Sequence, residues 1–149
     1  MIWGGFSADG MTELAILDGK QDSEKYIFTL CEYLLPFAHH LYGCDFVFQQ
    51  DNVSVHTSNV SIAFFEEMNI DVMNWPAKSP DLNPRENVWG CLARAVYANG
   101  RQFSTIDELK SEIFIQWKNW DKILLKNLIK SMKHRCIQVI ERKGNKISY

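Results

Sequence analysis

The chain has 149 residues, of which 46% are hydrophobic and 13% aromatic, enough for a folded domain rather than a disordered segment or a disulfide-stapled miniprotein. No apolar run approaches the ~18 residues of a membrane span and no signal peptide is evident, so we expect a soluble intracellular protein. The net charge of -2 hides an asymmetry, because residues 1–75 carry 2 Lys and 11 Asp/Glu whereas residues 76–149 carry 14 Lys/Arg and 7 Asp/Glu, which predicts an acidic site beside a surface that tolerates polyanions.

The sequence opens with a predicted β-hairpin. Residues 1–6 and 13–17 are strand-like and flank a Ser-Ala-Asp-Gly turn. A helix follows, which Asp22 or Ser23 can cap and in which Pro36 is expected to produce a kink or a split.

A strand, a helix and a second strand come next. Residues 45–50 read as a short apolar strand that ends in Gln-Gln-Asp-Asn, and residues 56–68 have helical periodicity. A brief strand is predicted through Ile70 and Val72. This alternation indicates an α/β layered domain.

The second half of the sequence is predicted to be mainly helical. A proline-punctuated loop at residues 75–84 leads into a helix with an apolar stripe. Thr105 and Glu108 form a capping box for the next helix, and a last helix extends over residues 121–142. The apolar stripe of the helix after the loop consists of Val88, Leu92 and Val96.

No linker or repeat is evident, so one domain is the simplest account.

Two carboxylates stand at the ends of predicted elements. Asp51 directly follows a strand, at the end where open α/β sheets keep their ligands, although it could simply form an Asx turn. Glu86 falls at the third position of a helix that Asn83 can cap, so completion of a capping box is an equally good interpretation.

The segments around these carboxylates carry a family resemblance. They read Phe-Gln-Gln-Asp-Asn-x-x-x-His and Trp-Pro-Ala-Lys-Ser-Pro-Asp-Leu-Asn-Pro-Arg-Glu-Asn-Val-Trp-Gly, with 34 residues between Asp51 and Glu86. Together they closely resemble the catalytic domain of the mariner-type transposases, which are DDE superfamily endonucleases. The resemblance covers essentially the whole chain, from Trp3-Gly4-Gly5 onward.

The resemblance implies a fold and a chemistry. The fold would be α/β, a ribonuclease H-like three-layer domain with a mixed sheet and a helical carboxy-terminal part. In the family, three carboxylates hold two divalent ions that cut and join DNA strands. Asp51 and Glu86 match two of these catalytic metal ligands, and their hard oxygens suit Mg²⁺ or Mn²⁺.

The family's first catalytic Asp and its strand lie upstream of the segment matched here, and neither Asp9 nor Asp18 substitutes for that residue. We therefore expect residues 1–149 to be a single partial catalytic domain that lacks the first, central strand and the amino-terminal helix-turn-helix region. Without that strand, residues 1–6 are hypothesised to pair directly with residues 45–50. The alternative is that an upstream segment or a second chain completes the sheet.

Three further polar residues are predicted to lie near the site. His56 matches the family histidine near the active site, where it could contact phosphate or order the metal-site loop, although without the resemblance it reads as a helix N-terminal residue. Asn52 and Asn87 flank the two carboxylates and could orient them, although turn and helix-start roles are as good an interpretation.

A basic stripe is the candidate nucleic-acid surface. Four lysines recur every four residues and are expected to form one helical stripe, either an ordinary solvated face or a sequence-independent phosphate-binding face. They are Lys118, Lys122, Lys126 and Lys130.

Taken with the resemblance, these features predict a transposase-derived domain that binds DNA non-specifically, related to metal-dependent strand cleavage and strand transfer. Because the first Asp is absent from the sequence, we expect the chain to be inactive alone. The alternative is a catalytically dead remnant or a co-opted module that binds nucleic acid or protein. A nuclear location is expected, with no membrane association.

Overall fold

The computed structural model describes residues 1–77 and 79–147. The chain divides into two compact units. The amino-terminal unit consists of Met1–Gly5 and Met11–Lys78, and the carboxy-terminal unit consists of Phe6–Gly10 and Ser79–Tyr149. Among the described residues, every helix is too short or too polar to cross a membrane.

The amino-terminal unit begins with the predicted hairpin. Strand β1 (Ile2–Trp3) pairs antiparallel with β2 (Ala15–Ile16), which confirms it. Beyond this short ladder, the N–H of Thr12 donates to the carbonyl of Gly5 at 2.9 Å, and the N–H of Gly5 donates to Thr12 Oγ1 at 2.9 Å. The buried threonine hydroxyl therefore extends the pairing where regular strand geometry ends.

The first helical region, where a kink or a split is predicted at Pro36, changes helix type before that residue without a break. Helix α1 (Ser23–Thr29) passes through a π-helical segment (Leu30–Leu34) into α2 (Leu35–Tyr42). Asp22 caps α1 by accepting a backbone N–H of the first turn at 2.9 Å. Pro36 has no N–H to donate, and its ring would collide with the carbonyl of the preceding turn. The wider π turn immediately before it accommodates this proline within a continuous helical path.

A parallel strand pair with a helix between its strands follows. Strand β3 (Val47–Phe48) leads through α3 (Asn59–Glu67) to β4 (Asp71–Val72), which pairs parallel with β3. The helix begins three residues later than predicted, because the N–H of His56 donates to the carbonyl of Val53 in a turn. Both strands are shorter than predicted, since only two residues of each are paired.

The hypothesis that residues 1–6 pair directly with residues 45–50 is wrong. In the described residues β1 pairs with β2 and β3 pairs with β4, as two separate sheets. The side chains of Trp3 and Phe48 instead pack against one shared core, so burial of apolar surface takes the place of backbone pairing. That core consists of Tyr26, Leu30, Leu34, Leu35, Phe65 and Ile70.

Three predicted helices form most of the carboxy-terminal unit. They are α4 (Pro84–Val96), α5 (Ile106–Lys118) and α6 (Lys122–Glu141). Short 3₁₀ turns lie at Pro80–Leu82 and Ala98–Gly100. The predicted apolar stripe of α4 is confirmed, since its members are at most 4% exposed; they are Val88, Leu92 and Val96.

The predicted capping box of α5 forms with a shifted partner. Thr105 Oγ1 accepts the N–H of Glu108 at 3.1 Å, as predicted. The glutamate Oε2 returns to the N–H of Ser104 at 2.9 Å, one residue earlier than in the standard box. Packing against α4 is aromatic: the rings of Trp89 and Trp117 stack with centroids 5.5 Å apart.

A buried arginine joins α6 to the loop before α4. Arg135 is 4% exposed. Its Nη1 donates to the carbonyl of Asp81 at 3.2 Å, its Nη2 to Asn87 Oδ1 at 2.9 Å, and its Nε to Ser131 Oγ at 3.1 Å. The carboxylate of Asp81 accepts the N–H of Ile147 at 3.0 Å. One guanidinium thus satisfies polar groups from two helices and an irregular segment.

The core of the amino-terminal unit is expected to depend most on Leu30, which has no exposed surface. Leu30→Ala should lower the free energy of unfolding by about 3 kcal/mol, through lost burial and the cavity left behind. Phe28, in the same helical region but 65% exposed, is the control. Phe28→Ala should change stability by no more than about 0.5 kcal/mol in urea unfolding. Equal losses would contradict the described core.

Removal of the Arg135 guanidinium should destabilise the carboxy-terminal unit. We expect Arg135→Ala to cost about 3 kcal/mol, because it leaves three acceptors without their donor in a buried place. Lys133→Ala, which removes an exposed cation from the same helix, is the matched control. Urea unfolding followed by tryptophan fluorescence measures both. A loss as small as that of the control would show that Arg135 does not hold this loop.

Candidate functional site

Asp51 lies just beyond the carboxyl end of β3, where its carboxylate has two roles. Its Oδ1 accepts the N–H of Val53 at 3.3 Å, which is the Asx turn considered from sequence. The same oxygen lies 2.7 Å from His56 Nδ1. The structure therefore brings Asp51 and His56 together, as the proposed site-proximal role requires. The other oxygen, Oδ2, has no hydrogen-bond partner among the described residues.

His56 is itself fixed by its neighbours. Its ring lies on that of Tyr26, with centroids 4.2 Å apart. The tyrosine hydroxyl donates to Gln50 Oε1, and Gln50 Nε2 donates to the His56 carbonyl at 3.3 Å. These residues form a bracket that sets the position of Asp51 Oδ1. The sequence does not single out Gln50 or Tyr26 for this role, because no periodicity marks a hydrogen bond across 24 positions.

Asn52 holds the loop in place rather than the carboxylate. Its Nδ2 donates to the carbonyl of Trp75 at 2.8 Å, which ties the segment after β3 to the segment after β4. Together with Gln50, His56 and Asn74, these two residues line a cleft of about 340 Å³. This bond to Trp75 is neither the orienting role nor the turn role suggested by the sequence.

Glu86 lies in the first turn of α4, and it does not complete a capping box. Asn83 caps the helix, since its Oδ1 accepts the N–H of Arg85 at 3.1 Å. The N–H of Asn83, which Glu86 would bind in a capping box, donates instead to the carbonyl of Pro80 at 3.0 Å. The Glu86 side chain is exposed and makes no hydrogen bond or ion pair with any described residue.

The segment that leads to Glu86 is anchored from α6. Asn87 contacts Arg135 rather than Glu86, so the predicted orienting bond is not present among the described residues. The Pro80–Leu82 turn is bound to the same arginine through Asp81. Glu86 thus follows a segment whose backbone is fixed.

The candidate metal ligands lie in separate units, Asp51 in the amino-terminal one and Glu86 in the carboxy-terminal one. Within residues 1–77 and 79–147, no group of three or more His, Cys, Asp and Glu side chains is gathered as a metal site. Their assignment as ligands therefore stays a prediction. The Asp9 and Asp18 side chains, rejected as the third ligand, are exposed.

The candidate basic stripe is exposed but does not lie on one helix. Lys118 is the last residue of α5, and the turn before α6 separates it from the other three lysines, so the single-helix prediction is wrong. The break agrees with the predicted start of the last helix at residue 121, where Asp121 acts as the cap, but the lysine spacing by itself does not show it. The three lysines on α6 are Lys122, Lys126 and Lys130, and Leu124, Leu128 and Met132 of the same helix are half-buried.

Comparisons with known proteins agree with this architecture. The chain is 40% identical over its full 149 residues to the Tc3 transposase of Caenorhabditis elegans, of which it covers 45%. It is 33% identical to the Tc1 transposase of the same organism, of which it covers 54%. The chain thus spans about half the length of the curated relatives it matches.

A solved structure of the Mos1 mariner transposase catalytic domain shares the fold. It superposes with a TM-score of 0.84 at 17% identity, covering 99% of this chain and 75% of that one. The α/β, ribonuclease H-like class predicted from the sequence is confirmed. Other Mos1 structures contain Mn, Mg or a transposon end.

A sequence profile described as DDE superfamily endonuclease matches residues 14–110, a span that contains both Asp51 and Glu86. Because the match covers more than half of the chain, this protein belongs to the DDE superfamily of endonucleases, among the relatives of the Tc1 and mariner transposases.

Proposed function

We propose that the chain supplies part of the catalytic site of a transposase, for metal-dependent cleavage and transfer of DNA strands, with Asp51 and Glu86 as two of its metal ligands. One observation carries the proposal. Each carboxylate lies on or next to a segment that side-chain hydrogen bonds hold in place, and each has at least one oxygen atom that no described residue binds. These oxygens are open to solvent, so a cation can bind them without breaking a contact within the protein, and both residues lie in the span that matches the DDE family.

The donor chemistry fits Mg²⁺ or Mn²⁺. Both ions prefer hard oxygen ligands, and Mg²⁺ is commonly held by one or two carboxylates together with water and substrate phosphate. When bound, such ions activate the attacking oxygen and stabilise the leaving oxygen of phosphoryl transfer. The Mos1 structures that contain Mn or Mg support this choice of cation.

His56 acts on the site through Asp51. Because Nδ1 lies 2.7 Å from Oδ1, the imidazole fixes one oxygen and leaves Oδ2 for a ligand. The Tyr26 ring restrains the imidazole. A carboxylate held in one orientation loses less conformational freedom when it binds a cation.

DNA is the proposed partner, bound without regard to sequence. The exposed lysines of α5 and α6 supply positive charge to phosphates, and the Mos1 complex with a transposon end supports DNA as the class of ligand. Membership of the DDE superfamily favours a transposase-derived catalytic domain over a co-opted binding module. A nuclear location is consistent with the proposal.

Substitution of Asp51 should weaken cation binding. We expect Asp51→Asn to lower Mn²⁺ affinity roughly tenfold or more, because the loss of a direct ligand exceeds the usual effect of a residue behind it. Calorimetric titration measures the affinity, and Mn²⁺-dependent nicking of supercoiled DNA tests the activity. Asp45→Asn, the same charge change at an exposed position before β3, is the control. Equal Mn²⁺ affinities in the two variants would refute Asp51 as a ligand.

Neutralising the lysines should reduce non-specific DNA binding. A variant with Lys118, Lys122, Lys126 and Lys130 changed to Gln should lower the slope of log affinity against log salt by up to about 3.6, or about 0.9 for each phosphate that a lysine no longer neutralises. Fluorescence anisotropy with a labelled duplex over a salt series measures this slope. An unchanged slope would leave these lysines as an ordinary solvated surface.

A further inference from the structure

An arginine at the start of α4 has no partner for its charge among the described residues. Arg85 directly precedes Glu86, and its Nε is buried without a hydrogen-bond partner. Among the described residues, none forms an ion pair or a hydrogen bond with its guanidinium. A buried, unsatisfied donor is uncommon in folded proteins, and ordered water or a bound ligand is its usual explanation.

The position of Arg85 makes the missing partner more significant. The first turn of an α-helix carries a partial positive charge, so acidic residues are favoured there and an arginine is not. Arg85 occupies this turn in a helix of 13 residues. Repulsion from the helix end opposes this arrangement, and an anion bound at the terminal nitrogens would offset it.

Each of the chain's other arginines has a described partner. Arg135 is bound by three acceptors. Arg101 pairs with Glu112 at 2.6 Å, Arg94 donates to a cysteine sulfur at 3.0 Å, and Arg142 donates to a backbone carbonyl at 3.2 Å. Within the part of the chain that the structure describes, Arg85 is the one arginine whose terminal nitrogens, Nη1 and Nη2, have no protein partner, and it is the one next to a proposed metal ligand.

We propose that Arg85 binds a phosphodiester group of DNA beside Glu86, an inference that rests on the proposed function. A guanidinium matches the paired oxygens of a phosphate with two parallel hydrogen bonds, which a lysine cannot reproduce. The cation also offsets the repulsion between the Glu86 carboxylate and an approaching phosphate. The interaction carries no sequence information and positions the backbone of the DNA.

The test compares Arg85→Met with Arg94→Met, which removes the same charge from an exposed place on the same helix. We expect R85M to weaken duplex binding roughly tenfold, the effect of about one charge-assisted hydrogen bond. The salt slope should fall by about 0.9. R94M should keep both quantities close to those of the wild type. The melting temperature of R85M should equal or exceed that of the wild type, because the unpaired donor is gone.

Arg85→Lys separates charge from geometry, and it also decides the question if R85M fails to fold. It should retain the salt slope but bind more weakly than the wild type. If the wild type binds DNA and either R85M or R85K binds it with the same affinity, this inference alone is overturned. Equal weakening in R85M and R94M would overturn it as well. A wild type that binds no DNA would overturn the proposed function together with it.

Discussion

The buried guanidinium of Arg135 is the interaction on which the order around Glu86 depends. The segment before α4 is irregular, so its backbone groups cannot satisfy one another as they do in a helix. Arg135 supplies donors to the Asp81 carbonyl and to Asn87, and it lies on a helix of 20 residues. Helix α6 thereby fixes the irregular segment, and the helix that carries Glu86 begins from a defined backbone.

In the amino-terminal unit, polar side chains rather than a buried guanidinium hold the irregular segment next to the candidate ligand. This segment, after β3, is held by Asn52, which donates to the carbonyl of Trp75, and by the bracket of Tyr26, Gln50 and His56. The candidate ligand takes part here, because one oxygen of Asp51 belongs to the bracket. Glu86 takes no part in its own support. The carboxylate in the amino-terminal unit is therefore the more restrained of the two within its own segment.

Local rules predicted the elements well. The capping residues Asp22 and Thr105 and the irregular helix near Pro36 depend on residues a few positions apart, so the sequence reveals them. Strand pairing was predicted poorly: residues 1–6 and 45–50 do not pair, since pairing depends on which edges meet after the helices pack. The lysine spacing misled for a related reason, because a regular four-residue interval does not show that one helix ends at Lys118 and another starts.

The sequence by itself determined the family, the α/β class and the two carboxylates worth testing, because these depend on residue types at fixed spacing. Only the tertiary structure decided what supports each carboxylate and which polar groups are already engaged. Hydrogen bonds such as those from Arg135 to Asn87 and from Tyr26 to Gln50 join residues far apart in the chain. The same limit hid Arg85, since an unsatisfied donor is recognised only when the partners of every neighbour are known.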